Sequence, residues 1–280
     1  MLSTVTASEP AEPAAARDPH RPARLLQAER DALLPILHRT PDRAFDRPTA
    51  CPGWELRDMI GHLVAETEGY LSAFDSARRG LAAEQPVGVA GMAKASDAAA
   101  RALRNVPRDD LLERARDDTD RLMHEFESLS DADWSGLMIP ERYLGPLPAM
   151  VIVEGLLGGY TVHGWDVREG FGARHAIAGD AADLLVPFVY LLWGATADTT
   201  AVDSPYAIGV RTTGENGGDT RFDVSDKGLQ FASGDLHECD AILEFDPATL
   251  VLTAYGRVNA GTVRGDPQLA TSFRSLFVSI

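Results

Sequence analysis

Four side chains in two apolar stretches carry the strongest chemical signal of this sequence. CPGWELRDMIGHLVAE, residues 51–66, holds His62 and, four residues on, Glu66. YTVHGWDVREG, residues 160–170, holds His163 and, three residues on, Asp166. Spacings of three and four set the members of each pair on one helix face. An imidazole beside a carboxylate can ligate a metal, shuttle a proton or satisfy a core hydrogen bond. By position alone the last is the commoner fate of either histidine. Two histidines on facing helices of a bundle are the beginning of a divalent-metal site, which usually takes three protein ligands.

A third ligand does not follow from the spacing. Glu154 precedes His163 by nine residues, about 900° of helix, which is the opposite side. One turn before His163 stands Gly159, which offers no ligand. With Gly155 and Gly158 it opens space beside His163 or lets another helix pack close. Two histidine ligands therefore stand with Glu66 and Asp166 as the nearby anionic supplements. Asp166 can alternatively orient His163.

Other constellations are weaker. Cys51 precedes a Pro-Gly-Trp turn and reads as structural, since a nucleophilic role needs a neighbouring base that the sequence does not show. GENGGD is a hairpin turn and not a phosphate loop, because neither a helix nor a Lys-Ser/Thr pair follows it. His20, His38, His124, His175 and His237 show no ligand spacing.

Long helices must position the two pairs. Leu26, Leu33 and Leu37 make one stripe, Met59, Leu63, Tyr70 and Phe74 a second, and Leu111, Ala115, Leu122, Phe126 and Leu129 a third, all at the helical period. A fourth helix, residues 147–167, is apolar nearly all round and should be the most enclosed. A fifth, DAADLLVPFVYLLWGATAD, carries Pro187 and is expected to kink or begin late there. Such helices joined by polar connectors predict an antiparallel bundle. After Asp203 come short alternating segments rich in Val, Ile, Phe and Thr, punctuated by GENGGD and SDKG, which read as strands. Two helices with Asp-Pro starts, at Asp246-Pro247 and Asp266-Pro267, complete a small α+β domain. The expected organisation is a disordered lead over 1–24, a bundle over 25–203 and the α+β domain over 204–280.

The totals narrow the partners. The chain has 280 residues, enough for a sizeable core, with 45% hydrophobic and 24% charged residues. A formal net charge of −16 repels phosphate backbones and anionic lipid, so no nucleic acid and no membrane is expected as partner. A small-molecule substrate is the expected partner, with a homodimer left open. Two cysteines suit a reducing cytosol and a cytoplasmic protein. The amino terminus lacks an apolar core and is not read as a secretory signal.

The two histidine stretches also resemble the first and second motifs of the mycothiol-dependent maleylpyruvate isomerase family, within the DinB-like bundle superfamily. DAILEFDPATLVLTAYGRVNAGTVRGDPQLATSF resembles the sterol-carrier-like domain that often follows that bundle. The resemblance implies a divalent metal, zinc first, held by His62 and His163. It implies a thiol cofactor, mycothiol, that adds to an activated double bond or displaces a leaving group. The family's glutamate ligand falls on Gly159 here. The expected function is thus thiol-assisted isomerisation or thiol transfer on a small organic substrate, with His62, His163 and Asp166 at the catalytic centre. Two other readings stand beside it. One is a metal-free descendant that cyclises or rearranges a polyketide-like intermediate of specialised metabolism. The other is a non-catalytic binder of an apolar molecule.

Overall fold

The computed structural model describes residues 18–172 and 175–277, in two compact units, Asp18–Ile177 and a second that begins at Ala178. The expected helical bundle followed by an α+β domain is what these residues form.

The bundle is built on four long helices, α1 (Arg21–Arg39), α2 (Leu56–Arg78), α4 (Arg108–Glu127) and α6 (Ala149–Gly170). Between them lie α3 (Val89–Ala102), the short α5 (Asp131–Gly136) and a hairpin of β1 (Met138–Glu141) and β2 (Gly145–Pro148). Neither α3 nor the hairpin follows from the apolar periodicity. The expected lead over 1–24 is too long, because α1 already begins at Arg21 with a proline in its first turn, where a fixed φ suits the helix. Residues 1–17 of that lead lie outside the described residues.

The sequence explains where α2 starts. The Asp58 carboxylate accepts the N–H of Glu55 at 3.0 Å, which satisfies one of the donors that a helix start leaves open. Arg104 grips the same buried carboxylate through Nε and Nη2 at 2.6 and 2.7 Å. Burial pushes the Asp58 carboxyl up, but these bonds outweigh it and hold the group below its ordinary value. The helix is thereby fixed at its first turn, seven residues from Asp58 in the case of the preceding Cys51 and four in the case of the following His62.

Helix α6 runs through the middle of the unit. Every residue from Leu156 to Gly164 is buried, as its all-round apolar composition predicts. It packs on α1, while α2 packs on α3, α4 and β1 and also reaches α6. Fully buried Leu33, Leu63, Leu156 and Phe126 fill the spaces between, each contributing about 1.5–3 kcal/mol by leaving water.

The second unit differs from the expected boundary at residue 203. Helix α7 (Gly179–Thr196), placed in the bundle by its apolar pattern, packs on α8 (Pro247–Ala254) and on strand β5 (Gly228–Ser233) of the second unit. Apolar periodicity shows that a helix is buried and not against what. Helix α7 also runs on through Pro187 without starting late. The sheet has the order β5-β4-β3-β6-β7, with β3 (Tyr206–Thr212), β4 (Gly218–Ser225), β6 (Ala241–Phe245) and β7 (Thr262–Gly265). Only β3 and β6 run parallel; the other neighbours are antiparallel. Both Asp-Pro starts are borne out, the carboxylates of Asp246 and Asp266 capping α8 and α9 (Pro267–Arg274). Tyr190, Trp193, Phe222, Phe231 and Phe273 pack ring against ring between α7, α9 and the sheet. Among the described residues no helix is long and apolar enough to cross a membrane.

Candidate functional site

The histidines of α2 and α6 meet. Their ring centroids are 5.0 Å apart and nearly perpendicular, an edge-to-face contact. Trp54, in the turn before α2, lies against both, at 4.9 Å from His62 and 6.0 Å from His163. That turn is held by Gly53, whose φ of 82° suits glycine, and by the Trp54 indole N–H donating to Asp97 at 3.0 Å. The backbone N–H of Ala50 donates to the Asp166 carbonyl at 3.1 Å, tying the segment to α6.

Asp166 stands behind His163. It is fully buried, and its Oδ2 lies 3.0 Å from His163 Nδ1. A carboxylate acceptor there favours the tautomer with the proton on Nδ1 and leaves Nε2 as the basic nitrogen. Asp166 thus contacts the ring on the far side from Nε2.

Glu66 stands in front of His62. Its Oε2 is 3.7 Å from His62 Nε2, and that oxygen is buried with no hydrogen-bond partner. A quarter of the side chain reaches solvent, through a cavity of about 170 Å³ that His62 and Glu66 line together with Tyr70, Ser96, Glu141 and Tyr143. Burial, and next the neighbouring Glu141, push the Glu66 carboxyl from 4.5 up to about 7. Glu141 is itself raised by burial, which N–H groups of the β1–β2 turn partly offset; those of Tyr143 and Leu144 donate to its Oε2 at 2.8 and 2.6 Å. The hydroxyls of Ser96 and Tyr143 lie 3.0 Å apart on another wall.

The place of the missing carboxylate is also visible. A Cβ built on Gly159 would lie 3.5 Å from Glu66 Oε2, an ordinary contact distance. The α2 carboxylate thus occupies the space over Gly159 that a side chain of α6 would otherwise enter. The buried phenol of Tyr160, the next residue, is hydrogen bonded to Thr119 at 2.9 Å and is raised by burial.

The two histidines expected to hold a metal meet, without a third ligand gathered beside them among the described residues. His62, His163 and Glu66 are the right donor types for a divalent ion. Among the described residues, however, no group of three or more His, Cys, Asp or Glu side chains is gathered so as to hold one. Asp166 is spent on Nδ1, on the other side of the ring, and Glu154 is not part of the cavity wall.

Sequence reasoning brought together His62, His163, Asp166 and Glu66, and missed Trp54, Ser96, Glu141 and Tyr143. The tryptophan lies in the quoted motif, so its proximity to His62 was within reach. The other three sit on α3 and the hairpin, which carry no apolar stripe.

Residues 26–168, about half of the chain, match the model of the mycothiol maleylpyruvate isomerase N-terminal domain family. Among solved structures, that of the mycothiol-dependent maleylpyruvate isomerase is similar, with a TM-score of 0.59 and 15% identity over 88% of this chain and 92% of that one. A mutant of that enzyme matches over the same shares at 14% identity and a TM-score of 0.59. The colibactin self-resistance protein, solved with double-stranded DNA, covers 58% of this chain and 100% of its own at 12% identity, with a TM-score of 0.49. No curated protein matches the chain.

Proposed function

The chain belongs to the mycothiol maleylpyruvate isomerase N-terminal domain family, and we propose that it is an enzyme whose bundle cavity isomerises a small unsaturated organic molecule, or transfers a thiol to it, by acid–base chemistry. The observation that carries this reading is the meeting of His62 and Glu66 at one cavity wall, with His163 and Asp166 behind.

The division of labour follows from the geometry. Glu66, with its carboxyl near neutrality, holds a proton at the cavity wall and can donate it to an oxygen of the substrate. His62 can accept a proton at Nε2, the atom that faces Glu66. The 3.7 Å between them is longer than a hydrogen bond, and catalytic contacts of this kind commonly tighten when substrate arrives. His163, held by Asp166, keeps the His62 ring in place by its edge-to-face contact. Trp54 packs against both rings. A thiol, when bound, supplies the nucleophile. The cavity is smaller than the roughly 300–1,000 Å³ of drug-sized sites, so only the reacting ends of thiol and substrate fit within it.

A second reading, thiol-free rearrangement, is favoured by the same acid–base pair, which can move protons unaided. A single comparison separates the two. The purified protein is offered maleylpyruvate with and without mycothiol, and its metal content is measured alongside. Isomerisation that needs the thiol, survives chelation and drops at least a hundredfold in Glu66→Gln and His62→Ala supports the first reading. Turnover of a substrate that is indifferent to thiol supports the second. One zinc per chain, with activity lost on chelation, defeats both in their metal-free form.

A further inference from the structure

A groove at the end of α1, away from the histidines, stands out by its charge. Arg39 is the last residue of α1, Arg43 lies in the 3-10 turn Asp42–Ala44, and Arg47 follows it. With Ile36, Pro41 and Phe171 they line a groove of about 530 Å³. None of the three arginines pairs with a carboxylate among the described residues. Elsewhere in the same unit arginine is regularly paired: Arg57 with Asp46, Arg79 with Asp75, Arg101 with Asp97, Arg104 with Asp58, Arg114 with Glu68 and Arg116 with Asp117. In a chain with 42 acidic and 26 basic residues, three neighbouring arginines without an acid need a reason.

The surroundings supply the reason by keeping acids away. Asp42 and Asp46, the two carboxylates of the segment, are engaged by Arg108 and Arg57. The exposed carbonyls at the end of α1 would repel an anion. Arg108 Nη2 covers them, donating to Leu37, His38 and Thr40 at 3.2, 2.9 and 3.0 Å. Ile36, Pro41, Ala44 and Phe171 supply apolar lining, and Arg47 lies over the Phe171 ring at 5.5 Å, which holds its guanidinium at the groove. The size falls within the range of small-molecule sites.

We propose that this groove binds a phosphate ester with an apolar body. The three guanidiniums take the phosphate oxygens, for which the planar fork of arginine is suited. Ile36, Pro41 and Phe171 take the apolar portion. The net charge of −16 argues for a free ester over a lipid headgroup in a membrane, since the rest of the surface is repelled by anionic lipid.

Calorimetric titration of the full chain at low ionic strength, with phenyl phosphate and with inorganic phosphate, tests this. Phenyl phosphate should bind at least threefold tighter than inorganic phosphate. The double variant Arg43→Gln/Arg47→Gln should weaken it at least tenfold, while Arg116→Gln, at a paired arginine on α4, leaves it unchanged. Melting curves of each variant confirm folding. Absence of saturable binding, equal affinity for the two probes, or equal loss in Arg116→Gln overturns the proposal. So does sedimentation with phosphatidic acid vesicles that depends on Arg43 and Arg47, which would assign the groove to a lipid surface.

Discussion

Replacing Glu66 by glutamine should stabilise the protein in alkaline solution and do little in acid. Unfolded, the carboxyl titrates near 4.5; folded, it is pushed up to about 7. Between those values the folded chain holds more protons than the unfolded one, so its stability falls as pH rises. The gap of about 2.5 pH units, at 1.36 kcal/mol each, amounts to about 3 kcal/mol lost above pH 7. A quarter of the side chain meets solvent, which trims this to about 2–3 kcal/mol. Glutamine keeps the shape and carries no charge at any pH. At about 2–4 °C per kcal/mol, Glu66→Gln should melt about 5–10 °C above the parent at pH 8.5. The difference should shrink toward zero near pH 4.5. Thermal melts of both proteins across pH 4.5–8.5, after chelation, provide the measurement. A gap independent of pH, or one that widens in acid, would refute the reasoning.

Two further substitutions probe the same site. Asp166→Ala leaves His163 Nδ1 without its buried acceptor, so it should lower stability by about 2–3 kcal/mol and turnover by about 10–100-fold, read by melting and by steady-state rates. Gly159→Ala puts a methyl at ordinary contact distance from Glu66 Oε2 and removes a helix-interior glycine. It should raise stability by up to about 1 kcal/mol, and any loss in chemical denaturation would show that the space over Gly159 does not admit a methyl.

How far the sequence led depended on the kind of signal. Helices α1, α2, α4, α6 and α7 announce themselves because one apolar stripe, or an all-round apolar surface, must be buried. The Asp-Pro starts of α8 and α9 announce themselves through capping chemistry. Helix α3, VAGMAKASDAAARA, has its helix signal in alanine content and not in a stripe, with Ala100 as its buried residue. The β1–β2 hairpin is four residues a side with prolines in both strands, too short for alternation to register. The boundary was misplaced because α7 is as apolar as a bundle helix, and only its neighbours decide its unit. At the site, Glu66 was legible as the i+4 partner of His62. That its carboxylate comes to rest over Gly159 depends on how α2 crosses α6, which no local spacing encodes. The convergence of a third ligand fails for the same reason: identity and spacing nominate donors, but tertiary packing aims them.

Trp54 gives the protein a built-in optical probe. Its indole lies against both imidazoles, and a protonated imidazole quenches a neighbouring indole more strongly than a neutral one. Of the other three tryptophans, Trp134 and Trp165 also face a histidine ring, so a variant carrying Trp54 alone isolates the signal. Its emission then follows the charge on the paired rings and the entry of molecules into the cavity beside them, with no label added. An unidentified substrate can be sought by its light before its reaction is known.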